Sequence, residues 1–253
     1  MGVSYNTISG LRLFADEIKN ASLLHIPHSS THIPDYTGFV IEELEENLFY
    51  LTDWATDSIF DIDGIEKIIT PFSRLFCDVE RYEDENEPMF RIGRGYYYTN
   101  GYNGNPLRHF NLELKNQIYN DFYLQHHQML CEKVKMRLDK FGVCHIVDCH
   151  SFDESMLGNH HNNYPDICIG FSEFHTPKYI LDKAQIYFSN QGYSVDINNP
   201  YSGSIVPKEH LLKEINVTSI MIEINKRLYM NGKNINKTEV DKLQRVINGF
   251  FDF

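Results

Sequence analysis

Short apolar runs alternate along this chain with longer stretches in which apolar residues recur every three to four positions. The run Gly142-Val143-Cys144-His145-Ile146-Val147-Asp148-Cys149-His150-Ser151-Phe152 stops abruptly on an Asp-x-His-Ser sequence. A brief run of Val, Ile and Cys after a Gly predicts a buried strand, and polar residues at its carboxyl end fall where open α/β sheets hold ligands. Alternation along that strand puts Asp148 and His150 on one face, with Cys149 and His145 on the other as packing groups. A second strand over 23–26 also runs into histidine, at His28, and Pro27 and Pro34 prevent the loop 28–38 from becoming a helix. The ends of these two strands would bring His28 and His150 together above one edge of a sheet.

The remaining pattern predicts one or two helices over 42–61, with Asp53 and Asp57 adjacent on one helical face, and strands over 67–70 and 75–77. A polar, Tyr- and Gly-rich segment over 82–105 is too irregular for a regular element and reads as a loop covering the site. One long helix follows over 112–141, its apolar stripe Leu114, Ile118, Phe122, His126, Met129, Met136, stopped by a Gly142 cap. Strands over 166–171, 194–197 and 218–225 and helices over 177–191 and 237–251 complete an alternating order. That order predicts an α/β fold with a mixed, largely parallel central sheet and helices on both faces, as a single domain over 1–253.

Composition narrows the function. At 253 residues, 42% hydrophobic and 23% charged, the chain is ordinary for a globular protein. The net charge of −12 argues against a nucleic-acid partner, because phosphate binding wants a basic surface. No apolar stretch reaches the ~18 residues of a membrane span, and the first residues lack the charged and apolar regions of a signal peptide, so a cytoplasmic protein with no membrane partner is expected. The cysteines (Cys77, Cys131, Cys144, Cys149, Cys168) show no Cys-x-x-Cys pair and read as reduced, structural thiols. Within this acidic chain Arg74, Arg81, Arg91, Arg94 and Arg108 cluster, which points to a small anionic ligand; pairing with Asp78, Glu80 and their acidic neighbours accounts for part of the cluster. Nothing in the sequence specifies an oligomeric state.

Glu223, in Ile-Met-Ile-Glu-Ile-Asn, is an acid in an apolar strand. Desolvation there raises a carboxyl toward the range of a general base; the competing reading is an ion pair with Lys226, Arg227 or an upstream arginine. His28, His150, one carboxylate ligand and Glu223 together make the set a zinc hydrolase needs. Of His126 and His127 on the long helix, one can reach the site, and His127 is the candidate. His25 and His32 read as hydrogen-bonded loop histidines, and His160-His161 as a solvated loop.

In order along the chain, Ile26-Pro27-His28-Ser29-Ser30, Thr52-Asp53-Trp54, Ser73-Arg74-Leu75 with Asp78 and Arg81, Tyr123-x-x-His126-His127, Asp148-Cys149-His150-Ser151-Phe152, Pro165-Asp166-Ile167 with Gly170, Asn199-Pro200-Tyr201-Ser202-Gly203 and 222–230 resemble the N-formylglutamate amidohydrolases, of the zinc-dependent carboxypeptidase-like superfamily. The resemblance implies one Zn2+ held by His28, His150 and an acid, water attack on an amide or formyl carbonyl with Glu223 as base, and Arg74 and Arg81 on the carboxylates of a small anionic N-acyl amino acid. It places Ser151, Asn199 and His127 on the substrate side as well, and Arg74 also beside the reacting group. Carboxypeptidase-type sites carry Glu three positions after the first His, where this chain has Thr31, so Asp53 is taken as the third ligand, with Asp148 as the rival or as an orienting group. Ser204 stands where the family pattern usually has a second Gly. The function implied is release of the formyl group from an acidic amino acid such as N-formylglutamate. The alternatives are another N-acyl amino acid or γ-glutamyl peptide as substrate, and a non-catalytic anion-binding module.

Overall fold

A computed structural model describes residues 19–158 and 164–252. His160 and His161 lie outside the described residues. Six strands, β1 (Ser22–Ile26), β2 (Glu66–Ile69), β3 (Cys144–Phe152), β4 (Ile167–Phe171), β5 (Val195–Ile197) and β6 (Val217–Asn225), form one sheet in the order β2-β1-β3-β6-β4-β5. All neighbouring pairs are parallel except β6 with β4, which makes the sheet mixed and largely parallel, as the alternating order of elements predicts. Covered on both faces, β6 is buried along its whole length and β3 almost so, hence their nearly continuous apolar sequence.

One face carries Leu24, Ile26, Val147, Cys149, Ile220, Ile222 and Ile224, packed against α2 (Thr56–Ile59), α5 (Lys178–Asn190) and α6 (Lys237–Asp252). In α6 the buried Val240, Leu243, Ile247, Phe250 and Phe251 recur at helical spacing, so one stripe of the helix supplies the contact. On the opposite face Leu23, Ile68, Cys144 and Ile146 meet Leu130 and Val134 of α4 (Leu124–Phe141). That second face, toward the carboxyl ends of the strands, carries His25, Asp148, His150 and Glu223.

Three expectations are corrected. Residues 75–77 are not a strand: the amides of Phe76 and Cys77 return to the Ser73 carbonyl while Ser73 N–H donates to His32 O, and the resulting turn delivers Asp78 to the site. The segment 82–105 is not a loose cover, because Tyr96, Tyr97 and Tyr98 are buried in an apolar cluster with Phe39, Phe76 and Leu107. Its Tyr98 hydroxyl reaches Asp78. The stretch 112–141 contains α3 (Leu112–Ile118), a π turn over Tyr119–Tyr123 and α4. The extra residue of the π turn moves most of the buried stripe on by one position, to Tyr123, Leu130, Val134 and Arg137, while His126 stays buried as expected and Met129 and Met136 are exposed. Gly142 caps α4 in the left-handed conformation, as expected (φ 73°).

Candidate active site

His28 leaves the end of β1, His150 lies near the end of the adjacent β3, and their rings sit 5.1 Å apart. Asp53 comes from the break between α1 (Ile41–Leu51) and α2: Thr52 is extended and Ala55 left-handed (φ 59°), so the chain cannot continue as one helix. The Asp53 amide donates to the carbonyl of His28 at 2.9 Å, which fixes the two backbones side by side. Asp57, expected on the same face, is instead exposed in α2, because the break rotates it away.

Asp53 Oδ2 lies 3.0 Å from His150 Nδ1 and 3.7 Å from His28 Nδ1. All three residues are buried, and each offers one ligand atom within 4.8 Å of the others. The outer ring nitrogens are occupied by carboxylates: His28 Nε2 meets Asp78 Oδ1 at 2.8 Å and His150 Nε2 meets Asp148 Oδ1 at 3.0 Å. Histidines that ligate a metal through one nitrogen are held in this way through the other. The decisive atom is His28 Nδ1, buried and without a hydrogen-bond partner. A tetrahedral ion with N and O ligands keeps them about 3.3 Å apart, a spacing that the Asp53 contacts bracket, so this pocket fits a metal ion.

Buried Asp78 gathers two arginines and a tyrosine. Arg74 donates to its Oδ2 through Nε (3.1 Å) and Nη2 (2.8 Å), the Tyr98 hydroxyl donates at 2.8 Å, and Arg81 Nε stands 3.4 Å away. Burial alone would raise the Asp78 carboxyl, but Arg74, His28 and Arg81 hold it well below the usual carboxylate range. Asp78 therefore stays charged beside His28 Nε2. Of the other clustered arginines, Arg108 is structural: buried, it lies over the Tyr97 ring at 3.6 Å and donates to the carbonyls of Tyr98 and Phe76. Arg91 is exposed.

Glu223 is the register partner of His150 across β3 and β6. It is buried, and its Oε2 has no hydrogen-bond partner. The expected rival partners are engaged elsewhere, Lys226 on the Tyr50 carbonyl and Arg227 on Glu154 and Asp166. Burial pushes the Glu223 carboxyl up to about 8, against the pull of the His150 charge and with help from Asp53.

The other sequence candidates have partners of their own. Ser151 alternates to the opposite face, where its Oγ accepts from the Tyr229 hydroxyl at 2.9 Å. The side-chain amide of Asn199 donates to Asp196 at 2.9 Å. His127 packs its ring against Tyr123 (4.3 Å). His32 is exposed, but His25 is not the loop residue that its neighbourhood suggests. It lies within β1, fully buried, beside Asp148, Glu80 and His126. The signal was present in the strand itself, since His25 alternates with the core residues Leu24 and Ile26 and must face the other side. Glu80, read as a charge partner for arginine, faces His25 and His150 instead; no local pattern announces that.

An open, largely parallel sheet with polar side chains gathered at its carboxyl edge defines the class: an α/β protein whose chemistry lies in the crevice beyond its strands. Within that class the chain belongs to the N-formylglutamate amidohydrolase family, whose sequence profile matches residues 21–230. A crystal structure of N-formylglutamate amidohydrolase from Ralstonia eutropha JMP134 is similar with a TM-score of 0.78 at 21% identity, over 91% of each chain. The Agrobacterium tumefaciens gene product Atu2144 superposes with a TM-score of 0.65 at 16% identity, over 93% of this chain and 92% of its own. Both likenesses concern the fold. No curated protein gives a significant match.

Proposed function

We propose that this chain is a zinc-dependent amidohydrolase that removes the formyl group from an acidic amino acid such as N-formylglutamate. The observation that carries the reading is the pairing of two unsatisfied buried groups on adjacent strands, the orphaned Nδ1 of His28 in its His, Asp, His pocket and the unpaired carboxyl of Glu223 beside it. His28, Asp53 and His150 would hold one Zn2+, a donor set suited to that ion. When bound, it supplies Lewis acidity that polarises the formyl carbonyl and acidifies water.

The chain's own groups do the rest. Glu223 accepts a proton from the attacking water as the new C–O bond forms, then returns it to the amide nitrogen as the C–N bond breaks, giving formate and the free amino acid. A carboxyl poised near neutrality in a dry pocket suits both transfers. Arg74 spends Nε and Nη2 on Asp78, which leaves Nη1 for a substrate carboxylate, and Arg81 offers a second guanidinium; planar forks of this kind match carboxylates. Asp148 keeps the His150 ring turned so that Nδ1 faces Asp53.

Formate release from N-formylglutamate by the zinc-loaded chain tests this. Glu223→Gln is expected to lower kcat about a hundred- to ten-thousand-fold while zinc content stays at the wild-type level. Undiminished turnover in that variant would remove Glu223 as the base, and absence of turnover by the wild type on a panel of N-acyl amino acids would remove the hydrolase reading.

A further inference from the structure

Behind the His28, Asp53, His150 pocket, on the same face of the sheet, a second set of metal-ligating side chains converges. His25 of β1, Asp148 of β3 and Glu80 from the turn after Asp78 each offer one atom within 4.8 Å of the others. His25 and Asp148 are register partners and are shielded from solvent. His25 Nδ1 lies 3.0 Å from Asp148 Oδ1 and 3.1 Å from Glu80 Oε1. A single N–H can point along only one of these directions, and Glu80 Oε1 is left buried without a hydrogen bond.

The spacing is that of cis ligands around an octahedral ion, about 3.0 Å when each ligand stands near 2.1 Å from the metal. The outer atoms are already tied. Asp148 Oδ2 accepts the Ile205 amide at 3.0 Å, and His25 Nε2 faces His126 Nε2 at 2.9 Å, so an imidazole bound to metal through Nδ1 would donate its remaining proton to His126 in the manner of ligating histidines. Charge points the same way. Asp148 and the largely shielded Glu80 set two carboxylates against the His25 and His150 rings, and a divalent ion placed among them balances the charge of both carboxylates.

We infer that His25, Glu80 and Asp148 form a second divalent-cation site, linked to the first pocket through His150 Nε2, which stands 3.0 Å from Asp148 and 3.2 Å from Glu80. One imidazole and two carboxylates suit ions of the Mn2+, Fe2+ and Zn2+ group. On binding, the Nδ1 proton of His25 passes to solvent and the nitrogen lone pair takes its place on the ion. The inference does not depend on the amide-hydrolase reading.

Mn2+ titrated into the metal-stripped full chain, with free ion counted by its electron paramagnetic resonance signal, tests it. Wild type is expected to bind two ions per chain. Glu80→Gln and, independently, His25→Asn are expected to bind one, each with a wild-type circular dichroism spectrum; Asp53→Asn is also expected to bind one, the other ion. Wild-type saturation at one ion that disappears in Asp53→Asn would overturn the second site while leaving the proposed hydrolase centre standing. Retention of two ions in both Glu80→Gln and His25→Asn would overturn it as well, and absence of any bound ion in wild type would overturn both sites.

Discussion

His28 and His150 present Nδ1 to Asp53 and give Nε2 to a carboxylate, Asp78 in one case and Asp148 in the other. This repeated arrangement fixes the orientation of both rings, and its cost is a set of buried charges that Arg74 and Arg81 offset around Asp78. Sequence brought forward His28 and His150 because both end apolar strands, whereas Asp53 was singled out through the resemblance of Thr52-Asp53-Trp54 and not through its place in the helical pattern. It hid the groups behind them. Glu80 lies in an acidic run that reads as solvated, and only the fold around Asp78 turns it inward. His127 also bears a testable consequence. Burial, with the nearby His25 charge, lowers its pKa from 6.5 to about 4. Between those values the unfolded chain binds a proton that the native chain refuses, so stability falls as pH drops through that window, by up to about 1.4 kcal/mol per pH unit for this group. Urea midpoints measured across it are expected to fall less steeply in His127→Gln than in wild type; identical slopes would contradict the assignment.

At the scale of elements, the six strands were legible because short apolar runs bounded by glycine, proline or polar residues are a local property. The irregular elements were not. The π turn at Tyr119–Tyr123 shifts most of the buried stripe of the long helix by one residue, which no periodicity count anticipates, and it is this shift that seats Leu130 and Val134 on the sheet. Likewise the Tyr-rich segment reads as a polar loop because tyrosine can both pack and hydrogen-bond, as Tyr98 does against Asp78. Gly170 on β4 shows how closely the elements meet. A Cβ there would collide with the Gly203 carbonyl and the Met221 side chain, across the crossover that delivers the Ile205 amide to Asp148. Gly170→Ala is therefore expected to destabilise the chain by about 1–3 kcal/mol, read as a lower thermal midpoint; an unchanged midpoint would show that the crossover yields freely.

For the whole molecule, the two apolar clusters on opposite faces of the sheet clamp β3 between β1 and β6, and that clamp is what brings residues more than a hundred positions apart into one pocket. Membership of the N-formylglutamate amidohydrolase family spans this clamp from β1 to β7 (Met230–Asn231), and among the described residues no helix is long and apolar enough to cross a membrane. The account rests on a cation shared by His28, Asp53 and His150. An anomalous difference map recorded at the zinc edge from crystals grown with Zn2+ tests it most directly: a peak is expected within bonding distance of His28 Nδ1, Asp53 Oδ2 and His150 Nδ1, and an ordered structure with no peak among those three atoms would contradict it.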